Sequence, residues 1–344
     1  MNNLSVSKLV GSSEYQAISD DALKDEDNAA WVMGLEPEIR QAWLESIRWI
    51  RIVDRLAETE LLGVEKEEFQ QFCQSWRWLM ATGQVQPTGN HRAVFQGMRD
   101  RWFRELSDPV GLLSIQSWER YLQAISYYHQ ENLVFERLSE FDKMLEDLGG
   151  SFFQVFPFLS AHQWRMVGAI GMVDQFYNIL RDLREDAEQG ICYFPNEILD
   201  RFGVSRAEIL ELRAYKNSGY RSMMQFWLYD YLPQIYHKAY PFILASDLHP
   251  SWQILRDWSL NRYHRIVRIF RRCDYNYMHF SEVYWQEVRR DLVLLLPERY
   301  GFAPTSPLKS HSIKANSLAF LNRKNKLFQL VSSAGVHISE YSYG

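Results

Sequence analysis

Residues Asp174 to Pro195 read DQFYNILRDLREDAEQGICYFP. The spacing predicts a helix that stops near Gly190. At about 100° per residue, Gln175, Asn178, Asp182 and Asp186 fall on one narrow face, with Glu185 beside them. Asp182 and Asp186 are one turn apart. Like charges at that spacing cost an isolated helix a few tenths of a kcal/mol, so removing Asp182 is expected to leave the fold no less stable. Asp and Asn oxygens are hard ligands of the kind Mg²⁺ takes, and Mg²⁺ commonly shares its shell with substrate phosphates. The face therefore reads as a site for a diphosphate held through Mg²⁺, or Mn²⁺ in its place. The competing reading is a solvated acidic face with local salt bridges from Arg181 and Arg184.

Outward from this stretch, helical patterns run in both directions. Pro37 suits the first turn of a helix through Ile39, Trp43, Ile47, Ile50 and Val53, on which Arg51, Asp54 and Glu58 share a face. Helical patterns continue from Glu65 to Leu106, broken by a turn over 82–89, and from Ser117 through Leu148. Trp76, Trp78, Trp102 and Phe103 read as core or half-buried residues. Ser205 and Glu208 form a capping box that should start a further helix. Others follow through Met224 to Tyr240, from Trp252 to Arg272, and up to Leu292–Leu296 before Pro297. Strand-like alternation is confined to 327–331. The pattern gives an all-α fold, a single-domain bundle of more than ten helices around a central cavity. Residues 1–26 read as a loose polar arm, 27–306 as the domain and 307–344 as a polar tail with no second domain expected.

The chain has 344 residues, is 47% hydrophobic and 15% aromatic, and carries a formal net charge of −5. That charge argues against a nucleic-acid partner. Cys73, Cys192 and Cys273 are scattered without a C-x-x-C pairing, as in a reducing compartment. No basic segment followed by an apolar run marks a leader, and no apolar stretch is long enough to span a bilayer. A cytoplasmic protein is expected, with peripheral contact to a membrane left open. Dinucleotide, P-loop, zincin and nucleophile-elbow patterns are absent.

The stretch 174–195 resembles the second aspartate-rich motif of the squalene/phytoene synthase family, roughly Q-L-x-N-I-L-R-D-x-x-E-D-x-x-x-G-R-x-Y-L-P. Gln175, Asn178, Ile179, Leu180, Arg181, Asp182, Glu185, Asp186, Gly190, Tyr193 and Pro195 match it. Residues 51–58, RIVDRLAE, are similar to the family's first acidic motif, with Glu58 where Asp is usual. Ala29-Ala30-Trp31 stands where a Ser–Phe pair is usual, Gly149-Gly150-Ser151 replaces a V-A-G helix break, and Tyr263 matches the start of a late Y-x-x-I-L stretch. Phe280 stands about where many members carry an arginine, so either Arg265, Arg268, Arg271 and Arg272 compensate or they form a solvated basic face. A terpene cyclase would share the metal chemistry and the all-α architecture, but 178–195 fits the head-to-head family better.

The resemblance implies an isoprenoid synthase bundle with two acidic helices facing each other across an apolar tunnel. It implies a prenyltransferase of the phytoene, squalene or dehydrosqualene synthase type, acting on farnesyl or geranylgeranyl diphosphate in isoprenoid or carotenoid biosynthesis. Asp54, Glu58, Asn178, Asp182 and Asp186 are then the metal ligands. Arg51, Gln175, Asn178, Arg181 and Tyr263 contact substrate, and Tyr193 closes over the site with Asp54, Asp182 and Asp186 in the catalytic set. NADPH enters only on the squalene branch. The departures at Glu58, Ala29–Ala30, Gly149–Gly150 and Phe280 define the alternative, an inactive relative that binds isoprenoids or serves in assembly.

Overall fold

A computed structural model of the chain describes residues 24, 27–57, 67–103, 109–130 and 133–295. Two compact units meet in sequence at Arg289 and Arg290, and the first carries the cavity and its polar clusters. Glu58 and the segments 307–344 and 327–331 lie outside the described residues.

A helical turn over 27–29 leads into a 3₁₀ turn, Ala30–Gly34. Helix α1, Pro37–Leu56, starts at the expected proline and turns Trp43, Leu44, Trp49, Ile50, Val53 and Leu56 inward. Next come α2 (Glu67–Thr82), α3 (Arg92–Trp102) and α4 (Pro109–Tyr128). Helix α5 (Leu138–Leu145) passes through a π-turn, Glu146–Gly150, into the short α6 (Ser151–Gln154). Helix α7, Ala161–Glu188, has 28 residues. Helices α8 (Asn196–Arg201) and α9 (Arg206–Leu210) are brief. Helix α10 (Ser218–Phe226) reaches α11 (Leu232–Ile243) through a second π-turn, Trp227–Tyr231. Helices α12 (Pro250–Arg272) and α13 (Tyr277–Leu295) complete the described chain. No strand occurs among the described residues, so the all-α expectation holds.

Helix α7 is the axis of the bundle, packed against α4, α5, α6, α11, α12 and the first π-turn. Ser160 begins it: its Oγ accepts from the Gln163 N–H at 3.2 Å, and Gln163 Oε1 accepts from the Ser160 N–H at 3.0 Å. The expected box at Ser205 and Glu208 starts α9 in the same way. Gly190, at φ 77°, stops α7. The Ile191 N–H returns to the Asp186 carbonyl at 2.8 Å and the Gly190 N–H to Ala187 at 3.0 Å, a Schellman closure.

Gly149 and Gly171 bring two backbones together. A Cβ on Gly149 would meet the Gly171 carbonyl oxygen at 2.1 Å, and one on Gly171 the Gly149 oxygen at 1.9 Å. No other residue type fits either place. The double-glycine break thus seats the π-turn directly on α7.

The core is largely aromatic. Trp43 meets Phe156 and Trp252, each at 5.0 Å, and Trp31 edge-on at 4.8 Å. Trp76 and Trp102 are buried as expected, but Trp78 is 46% exposed. It sits two residues, about 200°, from Trp76 on α2, so both cannot face inward.

Candidate active site

One cavity of about 610 Å³ opens between α1 and α7. Helix α7 lines it with Gln175, Asn178, Arg181, Asp182, Glu185 and Asp186, and α1 faces them with Ile47, Ile50, Arg51 and Asp54. The 3.6-residue period alone produces both stripes. The apolar wall comes from Trp31, Leu148, Phe152, Phe153, Phe156 and Leu255. Tyr193, on the segment that the Gly190 closure turns back, reaches the same space.

The acidic residues differ in their surroundings. Asp54 accepts from the Tyr121 hydroxyl and stands 3.7 Å from Arg51. Asp182 accepts from Arg181 through both oxygens, at 2.6 and 2.7 Å, and from the Lys24 ammonium at 2.8 Å. The Arg181 side chain is only 2% exposed, so Asp182 neutralises a buried cation. The buried pair argues against the expectation that the fold is no less stable without Asp182. Burial alone would raise the Asp182 carboxyl, but Arg181 and then Lys24 outweigh it and hold the group well below the usual carboxylate range. Asp186 moves the other way. Burial, then the Asp182 charge and then Glu185 push its carboxyl well up, and its place on the last turn of α7 sets it at the negative end of the helix dipole. Among the described residues no side chain donates a hydrogen bond to it.

Beneath the mouth lies a second polar cluster joining α7, α12 and residues 27–28. Asp174 accepts from the Tyr263 hydroxyl at 2.5 Å, from Arg262, and from the Asn178 amide at 3.1 Å. Arg262 also donates to Asn178 Oδ1 at 3.3 Å and to Asn28 Oδ1, and Asn28 accepts from Arg181 at 3.2 Å as well. Asp27, 1% exposed, accepts from Arg265 at 2.6 Å and from the Tyr284 hydroxyl at 2.5 Å.

A sequence model described as squalene/phytoene synthase matches residues 22–289, most of the chain. The chain belongs to the squalene/phytoene synthase family. It is 32% identical over 109 residues to the 15-cis-phytoene synthase of a Synechocystis species, and 44% identical over 45 residues to phytoene synthase 3, chloroplastic, of Zea mays. These matches span 31% and 11% of those relatives' lengths, and 31% and 13% of this chain. Two solved structures share the fold. Squalene synthase HpnC from Alicyclobacillus acidocaldarius superposes with a TM-score of 0.57 at 16% identity, covering 80% of this chain and 95% of that one. A dehydrosqualene synthase in complex with ligand gives 0.60 at 16%, covering 83% and 97%.

Within this member of the family, Arg51, Asp54, Gln175, Asn178, Arg181, Asp182, Asp186 and Tyr193 all come to the one cavity. Tyr263 is fully buried, stacks on Tyr177 at 4.4 Å and serves Asp174; it is not among the cavity-lining residues. Asn178 lines the cavity with its amide committed to Asp174 and Arg262. Phe280 stacks between Phe270, at 3.9 Å, and Tyr284, at 5.2 Å. The arginines weighed as its replacements are engaged elsewhere. Arg265 is buried against Asp27, Arg268 and Arg272 pair with Glu287 at 2.5 and 3.0 Å, and Arg271 lies over the Tyr229 ring.

Sequence reasoning missed Lys24, Asp27, Asn28, Tyr121, Asp174 and Arg262. Asp174 had a signal, since it extends the series 174, 178, 182, 186 by one turn. The others are brought in by packing alone. Among the described residues no helix is long and apolar enough to cross a membrane.

Proposed function

We propose that this chain is a head-to-head prenyltransferase that binds a prenyl diphosphate with its charged head among α1 and α7 and its chain along the aromatic wall. The observation that carries this reading is the single cavity in which the acidic stripe of α7, Arg51 and Asp54 of α1, and an apolar wall of Trp31, Phe152 and Phe156 meet.

A hard divalent cation fits the donor set. Among the described residues no three His, Cys, Asp or Glu side chains gather as a ready-made cage. Mg²⁺ seldom needs one, since it takes one or two carboxylates and completes its shell with water and substrate phosphate. Asp186, raised by burial and then by neighbouring negative charge and lacking a donor among the described side chains, is the carboxylate such a cation would relieve. Asp182 and Gln175 would stand beside it, with Asp54 opposite. When bound, the cation supplies Lewis-acid neutralisation of the diphosphate leaving group. Arg51 adds a guanidinium donor at the mouth, and the buried Arg181 fixes Asp182 in position. The aromatic wall excludes water and presents ring faces to developing positive charge. Tyr193 closes the space over the head group.

The test is incubation with farnesyl and geranylgeranyl diphosphate and Mg²⁺, followed by extraction and mass analysis of apolar products. A C30 or C40 hydrocarbon supports the reading. One observation favours a second reading: Asp182 already has both oxygens engaged by Arg181 and Lys24, as suits a relative that binds isoprenoids without turning them over. Substrate binding by calorimetry with no product from either diphosphate would select it.

A further inference from the structure

The last turns of α7 carry Asp182, Glu185 and Asp186. Arg181 is locked to Asp182 through two bonds and is almost wholly buried. A second cation reaches this face from a distant part of the chain. Lys24, 161 residues before Glu185, places its ammonium 2.8 Å from Asp182 Oδ2 and 3.3 Å from Glu185 Oε2. Its side chain is 26% exposed and lines the cavity, so an anion or cation entering the cavity meets it.

An ammonium bridging two carboxylates stands where a hard cation would stand. A planar guanidinium held at both ends, like that of Arg181, cannot re-aim without breaking its pair. A lysine is a point charge on a flexible stem with three rotatable donors, and it can. We propose that Lys24 is a built-in counter-cation of the acidic face: it holds Asp182 and Glu185 in the metal-free protein, yields them to a divalent cation, and then donates to the diphosphate anion held there. This rests on the reading of the cavity as a diphosphate site. An ammonium seated between two carboxylates at the cavity wall competes with an entering cation and can donate to an entering anion.

The proposal requires two shifts of opposite sign on substitution. Lys24→Met removes the competitor, so Mn²⁺ alone, followed by electron paramagnetic resonance on the full chain, should bind several-fold more tightly. It also removes an anion contact, so inorganic pyrophosphate in saturating Mn²⁺, followed by calorimetry, should bind roughly tenfold more weakly, the worth of one charge-assisted hydrogen bond. Lys24→Arg, which keeps the charge, should hold pyrophosphate affinity near native. Lys24→Gln provides the same comparison if the Met variant melts early. Opposite shifts support the proposal. A lysine that merely staples α7 gives equal affinities, or losses in both, and either result overturns it while native binding of Mn²⁺ and pyrophosphate leaves the cavity reading standing. Native protein that takes up neither overturns both together.

Discussion

The two polar clusters of α7 lie within a few turns of each other and are built on opposite principles. In the lower one, Asp27 and Asp174 are matched by Arg265 and Arg262, with Tyr263 and Tyr284 completing the carboxylates. Charges balance and the groups are buried. In the upper one, three carboxyl groups, Asp182, Glu185 and Asp186, face Arg181 and Lys24, and Asp186 is the one with neither cation on it, its ionisation opposed by burial and by the Asp182 charge. A balanced buried set fixes helices to one another. A set left one cation short and opening on a cavity has room for a ligand's positive charge. The same helix is a structural beam below Asn178 and, under the proposed function, a binding surface above it.

The largest effect that separates the two is Asp174→Ala. It leaves Arg262 buried without its carboxylate and should cost about 3–5 kcal/mol of stability, read by urea unfolding. A loss under 1 kcal/mol would remove the structural half of the contrast. Asp182→Ala belongs to both regions, because it strips a buried arginine and the acidic face together. Stability should fall by about 3 kcal/mol, and binding of Mn²⁺ should weaken as well; a variant that melts like the native chain would show that Arg181 finds another partner. Asp186→Asn should behave in the opposite sense. Replacing a carboxyl whose ionisation burial and its neighbours already oppose should leave the metal-free melting temperature equal or higher, while product formation, where the native chain gives any, falls about a hundredfold or more. A lowered melting temperature would place Asp186 with the structural set.

The smallest effect concerns the helix that supports the lower cluster. His249 caps α12 by accepting from the Ser251 N–H at 3.2 Å through Nδ1, which requires a neutral ring on that side. Burial lowers its pKa from 6.5. A base whose folded pKa is lowered contributes stability that is complete above 6.5 and lost as pH falls through 6.5 towards the folded value. His249→Asn keeps a capping acceptor without the titration, so the stability gap between variant and native should widen as pH falls from 8 to 5. A constant gap would show that the imidazole does not act as the cap.

The upper region was the more legible of the two in the sequence. The period of α7 places Gln175, Asn178, Asp182 and Asp186 on one stripe, and the proline start of α1 sets Arg51 and Asp54 on another. Both depend only on local geometry. The lower region depends on contacts such as Asp174 to Arg262, 88 residues apart, and Arg265 to Asp27, 238 apart. No helical period relates those positions. Angular placement also says which way a side chain points and nothing of what it bonds. Asn178 faces the cavity as expected, yet its amide belongs to the lower cluster. Tyr263, expected at the substrate, is drawn to Asp174 for the same reason, since a buried carboxylate takes the nearest hydroxyl.

The Schellman closure at Gly190 gives the site a clock. Helix ends fray sooner than helix middles, and the amides that close α7 are those of Gln189, Gly190 and Ile191, bonded back to Glu185, Asp186 and Ala187. Two of those acceptors are carbonyls of the acidic residues themselves. Any ligand that clamps Asp182 to Asp186 also clamps the turn these three amides hold shut, so occupancy of the mouth should appear as slowed deuterium uptake there. The same turn leads on to Tyr193 in the cavity lining, so a ligand that slows opening at the end of α7 should slow exchange at the Tyr193 amide as well.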